Sequence, residues 1–408
     1  MGKVAEYPVK HLISFDAVES SSTTASQMTV EEMISEIANY RKRWDTATKD
    51  DTYDQEVVKK VEEQFLVNFI FRSNLEEEHG LRTLDETKSF LGRILSRREF
   101  PLPLSLEEQE TLNMRNAYEN LLAKIKGEEL DRDYGLLEAS LLKEIHRVIL
   151  QDIPLPKGLT KPGEMSNKPR MTEFRGEIYY YANPEDMESA VVNLLDKYNF
   201  LFDTCTKDGL TNFEDLCDFF KTCAWILLEL LDLHPFSDGN GRLCRILCSY
   251  SLSKLNPFPT PIYSVWTDSP NDAYIEALVE GRNSPGRIHP CALTTMIVQC
   301  SYYQWKNFFE ALDKETASTC RTIARKNEHV LKKTVHVLQN VCHQVMQLFP
   351  VQKTSRFQAR VTFVKLHHVF LFVMLNDSTC NFIDNYQGSK VKFEFGTRCK
   401  FLGVLPKC

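Results

Sequence analysis

The segment that decides the fold of this chain is His234–Arg245, which reads HPFSDGNGRLCR. Apolar residues recur at helical spacing over Phe219–Leu230 before it and over Ile246–Leu252 after it. The sequence therefore predicts two buried helices joined by a short polar loop. The glycines at 239 and 241 permit backbone angles that bring consecutive N–H groups together, and the dipole of the second helix adds positive partial charge there. The pattern predicts an anion-binding site where the second helix begins.

The polar side chains of this segment are suited to phosphate chemistry. Arg242 and Arg245 are three residues apart, so both can reach one polyphosphate as forked donors. Asp238 beside a phosphate cradle is typical of a carboxylate that holds Mg²⁺ on phosphate oxygens. His234 titrates near neutral pH in an ordinary environment, which suits a general base. Each residue alone has a common structural explanation, such as a turn or a cap, but their occurrence in one block favours a catalytic site.

The segment resembles the signature of the Fic (filamentation induced by cAMP) family, His-Pro-Phe-x-(Asp/Glu)-Gly-Asn-Gly-Arg-x-x-Arg, and it matches every fixed position. The resemblance extends over roughly residues 55–312 and includes Leu142–Arg147 and Tyr274–Leu278. It implies a mainly α fold, namely a Fic-type helical bundle with a β-hairpin flap and a smaller C-terminal α+β segment. Residues 168–181 are the candidate hairpin.

The same resemblance implies an enzyme, a protein adenylyltransferase that moves AMP from ATP to a Ser, Thr or Tyr hydroxyl of a target protein. His234 is then the catalytic base, and Asp238 holds the Mg²⁺ or Mn²⁺ cofactor. The implied nucleotide-binding residues are Gly239, Asn240, Gly241, Arg242, Arg245 and Tyr274. Three other functions stay open at this stage: removal of AMP from a modified protein by the same site, transfer of another phosphate-containing group, and a nucleotide-binding pseudoenzyme or adaptor.

A regulatory glutamate is implied by the segment Ser73–Glu78, which resembles the inhibitory pattern (Ser/Thr)-x-x-x-Glu-(Gly/Asn) of many Fic proteins. The apolar stripe predicts a helix over 54–78, on which Ser73 and Glu77 share a face. Glu77 is expected to pair with Arg245 and so to inhibit the enzyme. Because Glu78 stands where the family has Gly or Asn, Glu76 and Glu78 remain alternatives for this role.

The charge of the chain is unevenly distributed. Its net charge is −7, but residues 1–319 carry −17 and residues 320–408 carry +10. The sequence predicts a helical stretch over 313–348 and then strands at Val361–Leu375 and Val391–Phe395, which is compatible with the C-terminal winged helix of some Fic proteins. We expect this basic segment to pack on the acidic body rather than to bind nucleic acid.

These patterns divide the chain into four predicted parts. They are a flexible tail at 1–27, N-terminal helices with the inhibitory segment at 28–100, the Fic core at 101–312 and the basic segment at 313–408.

Targeting and cysteine patterns predict a protein of the cytoplasm or nucleus. The N-terminus lacks the apolar stretch of a secretory signal, and no apolar run is long enough to span a membrane. All 12 cysteines follow residue 204 without a Cys-x-x-Cys spacing, which favours reduced thiols in the core. The expected partners are ATP and a target protein, with a homodimer left open and no membrane contact.

Overall fold

The fold is mainly α, as predicted. The protein is represented by a computed structural model. It describes residues 28–96, 103–128, 136–183, 185–207, 209–265, 270–283 and 291–348 and the strand segments 359–360, 374–375, 379–383 and 390–394.

Four helices form the N-terminal part, namely α1 (Val30–Lys49), α2 (Gln55–Leu75), α3 (Leu84–Ser96) and α4 (Leu106–Glu128). Local sequence fixes where they begin. The Thr29 side chain accepts from the Glu32 N–H while the Glu32 carboxylate accepts from the Thr29 N–H, a capping box that starts α1. Ser105 and Glu108 make the same reciprocal pair at the start of α4.

The middle of the chain carries the flap and the deepest helices. Its elements are α5 (Ala139–Ile149), strands β1 (Met171–Phe174) and β2 (Glu177–Tyr180), α6 (Met187–Thr206), α7 (Phe213–Leu233) and α8 (Asn240–Leu252). The two strands pair antiparallel, with Met171 opposite Tyr180 and Phe174 opposite Glu177, and form the predicted hairpin.

The core is built around α7 and α8. Nearly every residue of α8 is buried, and α7 buries side chains such as Phe219, Phe220 and Ile226. A helix that is buried all round must have neighbours on all sides, and α1, α6 and α8 pack on α7 while α2, α4 and α5 pack on α8. The loop between α7 and α8 is therefore held by a rigid frame.

The described cysteines are free thiols, and Cys217, Cys223 and Cys248 are buried as predicted. Burial raises the pKa of Cys217 to about 11. These thiols are protonated at neutral pH and pack as small apolar groups.

The C-terminal part begins with α9 (Pro270–Asn283) and α10 (Cys291–Leu348). Two compact units divide at Thr316/Ala317, and α10 crosses that division as it crosses the predicted boundary at 312/313. In the second unit, strand β3 (Ala359–Arg360) pairs with β4 (Met374–Leu375), and β5 (Thr379–Ile383) pairs with β6 (Lys390–Glu394), both antiparallel. The predicted strand Val361–Leu375 lies mostly outside the described residues.

The predicted helix over 54–78 is confirmed as α2, but its predicted end was wrong. The helix expected over 54–78 ends at Leu75, and Glu76–Glu78 form a turn. Glu78 has a φ of 60° and Gly80 a φ of 69°, both in the left-handed region that ends a helix. Ser73 is therefore in α2 while Glu77 lies in the turn that follows it. In the part of the chain described by the structure, no helix is long and apolar enough to cross a membrane.

Candidate active site

The loop between α7 and α8 has the backbone geometry predicted for an anion cradle. The Asn240 amide is buried and spans the loop, because its Oδ1 accepts from the Phe236 N–H at 3.0 Å and its Nδ2 donates to the Phe236 carbonyl at 2.8 Å. Gly239 precedes α8 with a φ of 73°, a backbone angle that costs an L residue roughly 1–2 kcal/mol. The N–H groups of the first turn of α8 have no partner within the helix and are available to an anion.

His234 ends α7 with a φ of 48°, and its ring is held on two sides. The ring stacks on Tyr181 with centroids 3.8 Å apart and an interplanar angle of 11°. Its Nδ1 lies 3.3 Å from the Leu231 carbonyl oxygen. A proton on Nδ1 donates to that oxygen, which leaves the lone pair on Nε2 for an incoming hydroxyl.

The titration behaviour expected for His234 was wrong. Burial, together with the nearby guanidinium groups of Arg170 and Arg282, lowers its pKa to about 4. The ring is therefore neutral at pH 7 and ready to accept a proton. Neither the Tyr181 stack nor the two arginines are visible in the sequence, because they come from elements distant along the chain.

A second histidine supports the loop from α5. His146 stacks on Phe236 with centroids 3.8 Å apart and an angle of 9°. Its Nδ1 accepts from the Gly163 N–H at 2.8 Å, so Nε2 carries the proton and donates to the Asp238 carbonyl at 2.8 Å. Burial lowers the pKa of His146 to about 4, which keeps this tautomer neutral. His146 lies in the segment Leu142–Arg147 that resembles the family, but its role in holding the loop was not predicted.

The two arginines of the segment are buried beside the cradle. The side chains of Arg242 and Arg245 are 2% and 1% exposed. Both Nη atoms of Arg242 and the Nε of Arg245 make no hydrogen bond within the described residues. Unpaired donors on buried cations are costly, and a bound polyanion would satisfy them. Tyr274, at 4% exposure, places its ring 4.5 Å from the Arg245 guanidinium carbon, so the structure brings this predicted residue to the same site.

Glu77 lies on the cradle. Its carboxylate forms an ion pair with Arg245, and a Cβ added at Gly241 would overlap that carboxylate. The acidic group therefore sits against the backbone at the start of α8, where an anion is favoured. Glu76 is buried with an Oε2 that makes no hydrogen bond within the described residues, and Glu78 is exposed. Of the three candidates, Glu77 is the one that contacts Arg245.

The turn that carries Glu77 is anchored to α4. The buried carboxylate of Glu110 lies 2.7 Å from His79 Nδ1 and accepts from the Gly80 N–H at 2.7 Å. The Leu81 N–H donates to Thr111 Oγ at 3.1 Å. Despite burial, the hydrogen bond from His79 lowers the pKa of Glu110. The other predicted residue of this region, Ser73, is fully buried in α2.

Asp238, the predicted magnesium ligand, lies beside the cradle with its carboxylate partly exposed. Its side chain is 38% exposed, and its Oδ1 accepts from the Gly239 N–H at 2.6 Å and lies 3.9 Å from Arg242 Nη2. Among the described residues, no cluster of three or more acidic, His or Cys side chains is arranged for a metal ion. One carboxylate with phosphate oxygens is the donor set by which Mg²⁺ is usually held next to a nucleotide, so this site fits the ion only together with a polyphosphate.

The flap is tied to the end of α7. The Ala182 N–H donates to the Asp232 carbonyl at 3.2 Å, and the Tyr179 hydroxyl donates to the Asp232 carboxylate. Arg170 donates to the Leu233 carbonyl at 3.2 Å from the other side of the hairpin. The outer surface of the hairpin is apolar and exposed at Met171, Ile178 and Tyr180. The hairpin is thus fixed at its base beside His234.

Comparison with known proteins places this site in a family. The family model described as Fic/DOC family matches residues 136–252. A Fido domain-containing protein of Dictyostelium discoideum is 32% identical over 136 residues, which are 33% of this chain and 84% of that protein. The ribonucleoside-diphosphate reductase small chain of Ostreid herpesvirus 1 is 36% identical over 132 residues, and the chain spans about a fifth of that protein's length.

A solved structure supports the fold. The Fic domain-containing signaling protein from Bacteroides thetaiotaomicron superimposes with a TM-score of 0.51 at 22% identity and covers 69% of this chain and 97% of its own. The region that the family model matches, residues 136–252, contains α5, the flap, α6, α7 and α8, which are the elements around the cradle. Because the Dictyostelium relative is 32% identical over 84% of its own length and the family model matches residues 136–252, the chain belongs to the Fic/DOC family.

Proposed function

We propose that this protein transfers AMP from ATP to a hydroxyl group of a target protein, and that Glu77 inhibits the reaction. The observation that carries the proposal is the pair of buried arginines with unpaired donors beside the cradle. This donor set suits a polyphosphate better than a single phosphate, because Arg242 and Arg245 together supply two forked cations. The neutral His234 lies at the other side of the same loop.

In the proposed reaction the hydroxyl oxygen attacks the α-phosphorus, and the bond from that phosphorus to the bridging oxygen breaks as pyrophosphate leaves. The hydroxyl proton passes to Nε2 of His234, which is neutral because of its burial. Arg242, Arg245 and the first N–H groups of α8 stabilise the charge that develops on the leaving group. A magnesium or manganese ion on Asp238 would neutralise phosphate charge.

The exposed apolar surface of the flap is the proposed target-binding surface. Among the described strands, β1 and β2 pair only with each other, so their outer edges can accept another strand, and Ile178 and Tyr180 are exposed beside them. An extended segment of the target can add to such an edge and present a hydroxyl near His234.

Inhibition follows from competition for Arg245. When Glu77 holds Arg245, the carboxylate stands where a terminal phosphate would be bound. ATP then binds without its third phosphate fully held, and the α-phosphate is not aligned for attack. Removal of AMP from a modified target is an alternative use of Glu77, which could orient a water molecule at the same place.

The experiment that tests the proposal is incubation with Mg²⁺ and ATP labelled at the α-phosphate. Wild type is compared with His234→Ala, Glu77→Gly and a matched control, Glu78→Gly. Glu78 lies in the same turn with a positive φ but has no ion pair in the described structure, so a glycine there leaves Arg245 paired. We expect strong protein labelling with Glu77→Gly, weak labelling with wild type and Glu78→Gly, and none with His234→Ala.

Two results would contradict the proposal. Equal labelling by Glu77→Gly and Glu78→Gly would remove the inhibitory role of Glu77. ATP binding without labelling by any variant would favour a nucleotide-binding adaptor over a transferase.

A further inference from the structure

The cation that lies over the flap tyrosines comes from α9 and has no place in the family signature. Arg282 is the second-last residue of α9, and its side chain is 9% exposed. Its guanidinium carbon is 4.1 Å from the centre of the Tyr179 ring and 5.5 Å from that of Tyr181. Its Nε is 3.6 Å from Oδ1 of the buried Asp232. One side chain thus joins α9, the end of β2 and the last turn of α7.

Two ring contacts connect Arg282 to the imidazole of His234. The Tyr179 and Tyr181 rings meet edge to face, with centroids 5.6 Å apart and an angle of 81°. Tyr181 then stacks flat on His234. A cation over an aromatic face is attracted by its electron density and favours one ring orientation. The orientation of Tyr181, and with it that of the His234 ring, therefore depends on the guanidinium.

Asp232 completes the arrangement. Its carboxylate accepts from the Tyr179 hydroxyl and faces Arg282, and its carbonyl accepts from Ala182 directly after Tyr181. A buried carboxylate needs a charged or donating partner, and both are supplied by this cluster. Loss of Arg282 removes the cation that faces the Asp232 carboxylate and loosens the base of the flap.

We propose that Arg282 is a positioning residue for His234, which it holds in its catalytic orientation through Tyr179, Tyr181 and Asp232. This inference rests on the proposed role of His234 as the base. Within the described residues, the contacts of Arg282 are with Tyr179, Tyr181 and Asp232 rather than with Arg242 or Arg245, so its loss should change the chemical step more than ATP binding.

The charges around His234 give a second readout. Four groups face it: Arg170, which directly precedes β1, Arg282 of α9, Asp238 of the loop and the phenol of Tyr181. Both arginines lower the pKa of His234 and Asp238 raises it. Removing the charge at 282 should therefore raise this pKa, whereas a purely structural role for Arg282 would not.

The test compares Arg282→Gln and Arg282→Lys with a matched control, Arg175→Gln. Arg175 also links the flap to α9, by an exposed ion pair with Glu276 at 2.6 Å, but it lies at the hairpin turn away from His234. The pKa of His234 is measured by NMR titration of protein labelled at its histidines, with His234→Ala to assign the resonance. The transfer assay gives kcat and the KM for ATP in the Glu77→Gly background.

For Arg282→Gln we expect the titration midpoint of His234 to rise by about one pH unit and kcat to fall about tenfold with KM unchanged. Arg282→Lys should keep the midpoint near that of wild type, because the charge remains, and recover part of kcat. Arg175→Gln should leave the midpoint in place.

Two outcomes would overturn the inference. One is a wild-type midpoint with wild-type kcat in Arg282→Gln. The other is a loss of thermal stability with an unmoved midpoint, which would make Arg282 structural only. Absence of transfer in every variant would refute the proposed function instead. The NMR titration midpoint would still show whether the charge of Arg282 lowers the pKa of His234.

Discussion

Replacing Glu77 by Gln should weaken the folded protein without ligand and strengthen ATP binding. The perturbation removes the negative charge from the ion pair with Arg245 and keeps the size of the side chain. Arg245 is 1% exposed and Glu77 is 31% exposed. An exposed pair is worth roughly 0–1 kcal/mol, and breaking a fully buried pair costs roughly 3–5 kcal/mol. Because one partner is a third exposed, we expect a loss of about 1–2 kcal/mol.

The same free energy appears with opposite sign in ATP binding. In wild type, the ion pair between Glu77 and Arg245 must break before a terminal phosphate can bind Arg245. In the variant this ion pair is absent, so its free energy does not oppose ATP binding. A difference of about 1.4 kcal/mol corresponds to roughly a tenfold lower Kd for ATP. In a domain of this size, the unliganded Tm should fall by about 2–6 °C. At a ligand concentration a hundred times the variant's Kd, binding adds roughly 2.7 kcal/mol to the variant and roughly 1.4 kcal/mol to wild type, so the difference in Tm between the two should nearly vanish.

The assay is titration calorimetry with a non-hydrolysable ATP analogue and Mg²⁺, together with thermal unfolding at several analogue concentrations. Glu78→Gln is the control, since Glu78 is exposed in the same turn. The reasoning is refuted if Glu77→Gln binds the analogue no more tightly than Glu78→Gln, or if it is more stable than wild type without ligand.

Three further outcomes are expected. Glu110→Ala should free the turn that carries Glu77 and shift the ATP Kd toward that of Glu77→Gln, and in the Glu77→Gln background calorimetry should detect no added shift. Gly239→Ala should lower the free energy of unfolding by about 1–2 kcal/mol in urea, because its φ is 73°. The pKa of buried His146 is lowered to about 4, so its stabilising contribution is present above pH 6.5 and is lost as the pH falls toward 4. Relative to His146→Phe, wild type should therefore lose about 3 kcal/mol between pH 7 and pH 4; parallel pH profiles of the two would contradict this.

Much of the active site could be predicted because its residues are adjacent in sequence. His234–Arg245 contains its own turn, its own helix start and its own charged groups, so local geometry brings the Gly239 backbone and Arg245 to one place. The same holds for the caps at Thr29 and Ser105, which depend on side chains three residues apart.

The end of α2 was less accessible to sequence reasoning. Apolar periodicity continues to Leu75 and acidic residues follow, so nothing in the spacing alone ends the helix before Glu78. The left-handed angles at Glu78 and Gly80 are stabilised by α4, through Glu110 and the Gly80 N–H. A turn held by a partner 30 residues away is a tertiary feature, and it decides which glutamate reaches Arg245.

The sequence by itself determined the family, the mainly helical fold and the set of groups proposed to bind an anion, because these depend on periodicity and on one contiguous segment. Only the tertiary structure decided that His234 is neutral, that Tyr181 and Arg282 surround it and that Glu77 rather than its neighbours lies on the cradle. The physical reason is that desolvation and charge–charge interactions depend on distance in space. Residues 170, 181, 234 and 282 are far apart along the chain and are brought together by the packing of the flap and α9 on α7.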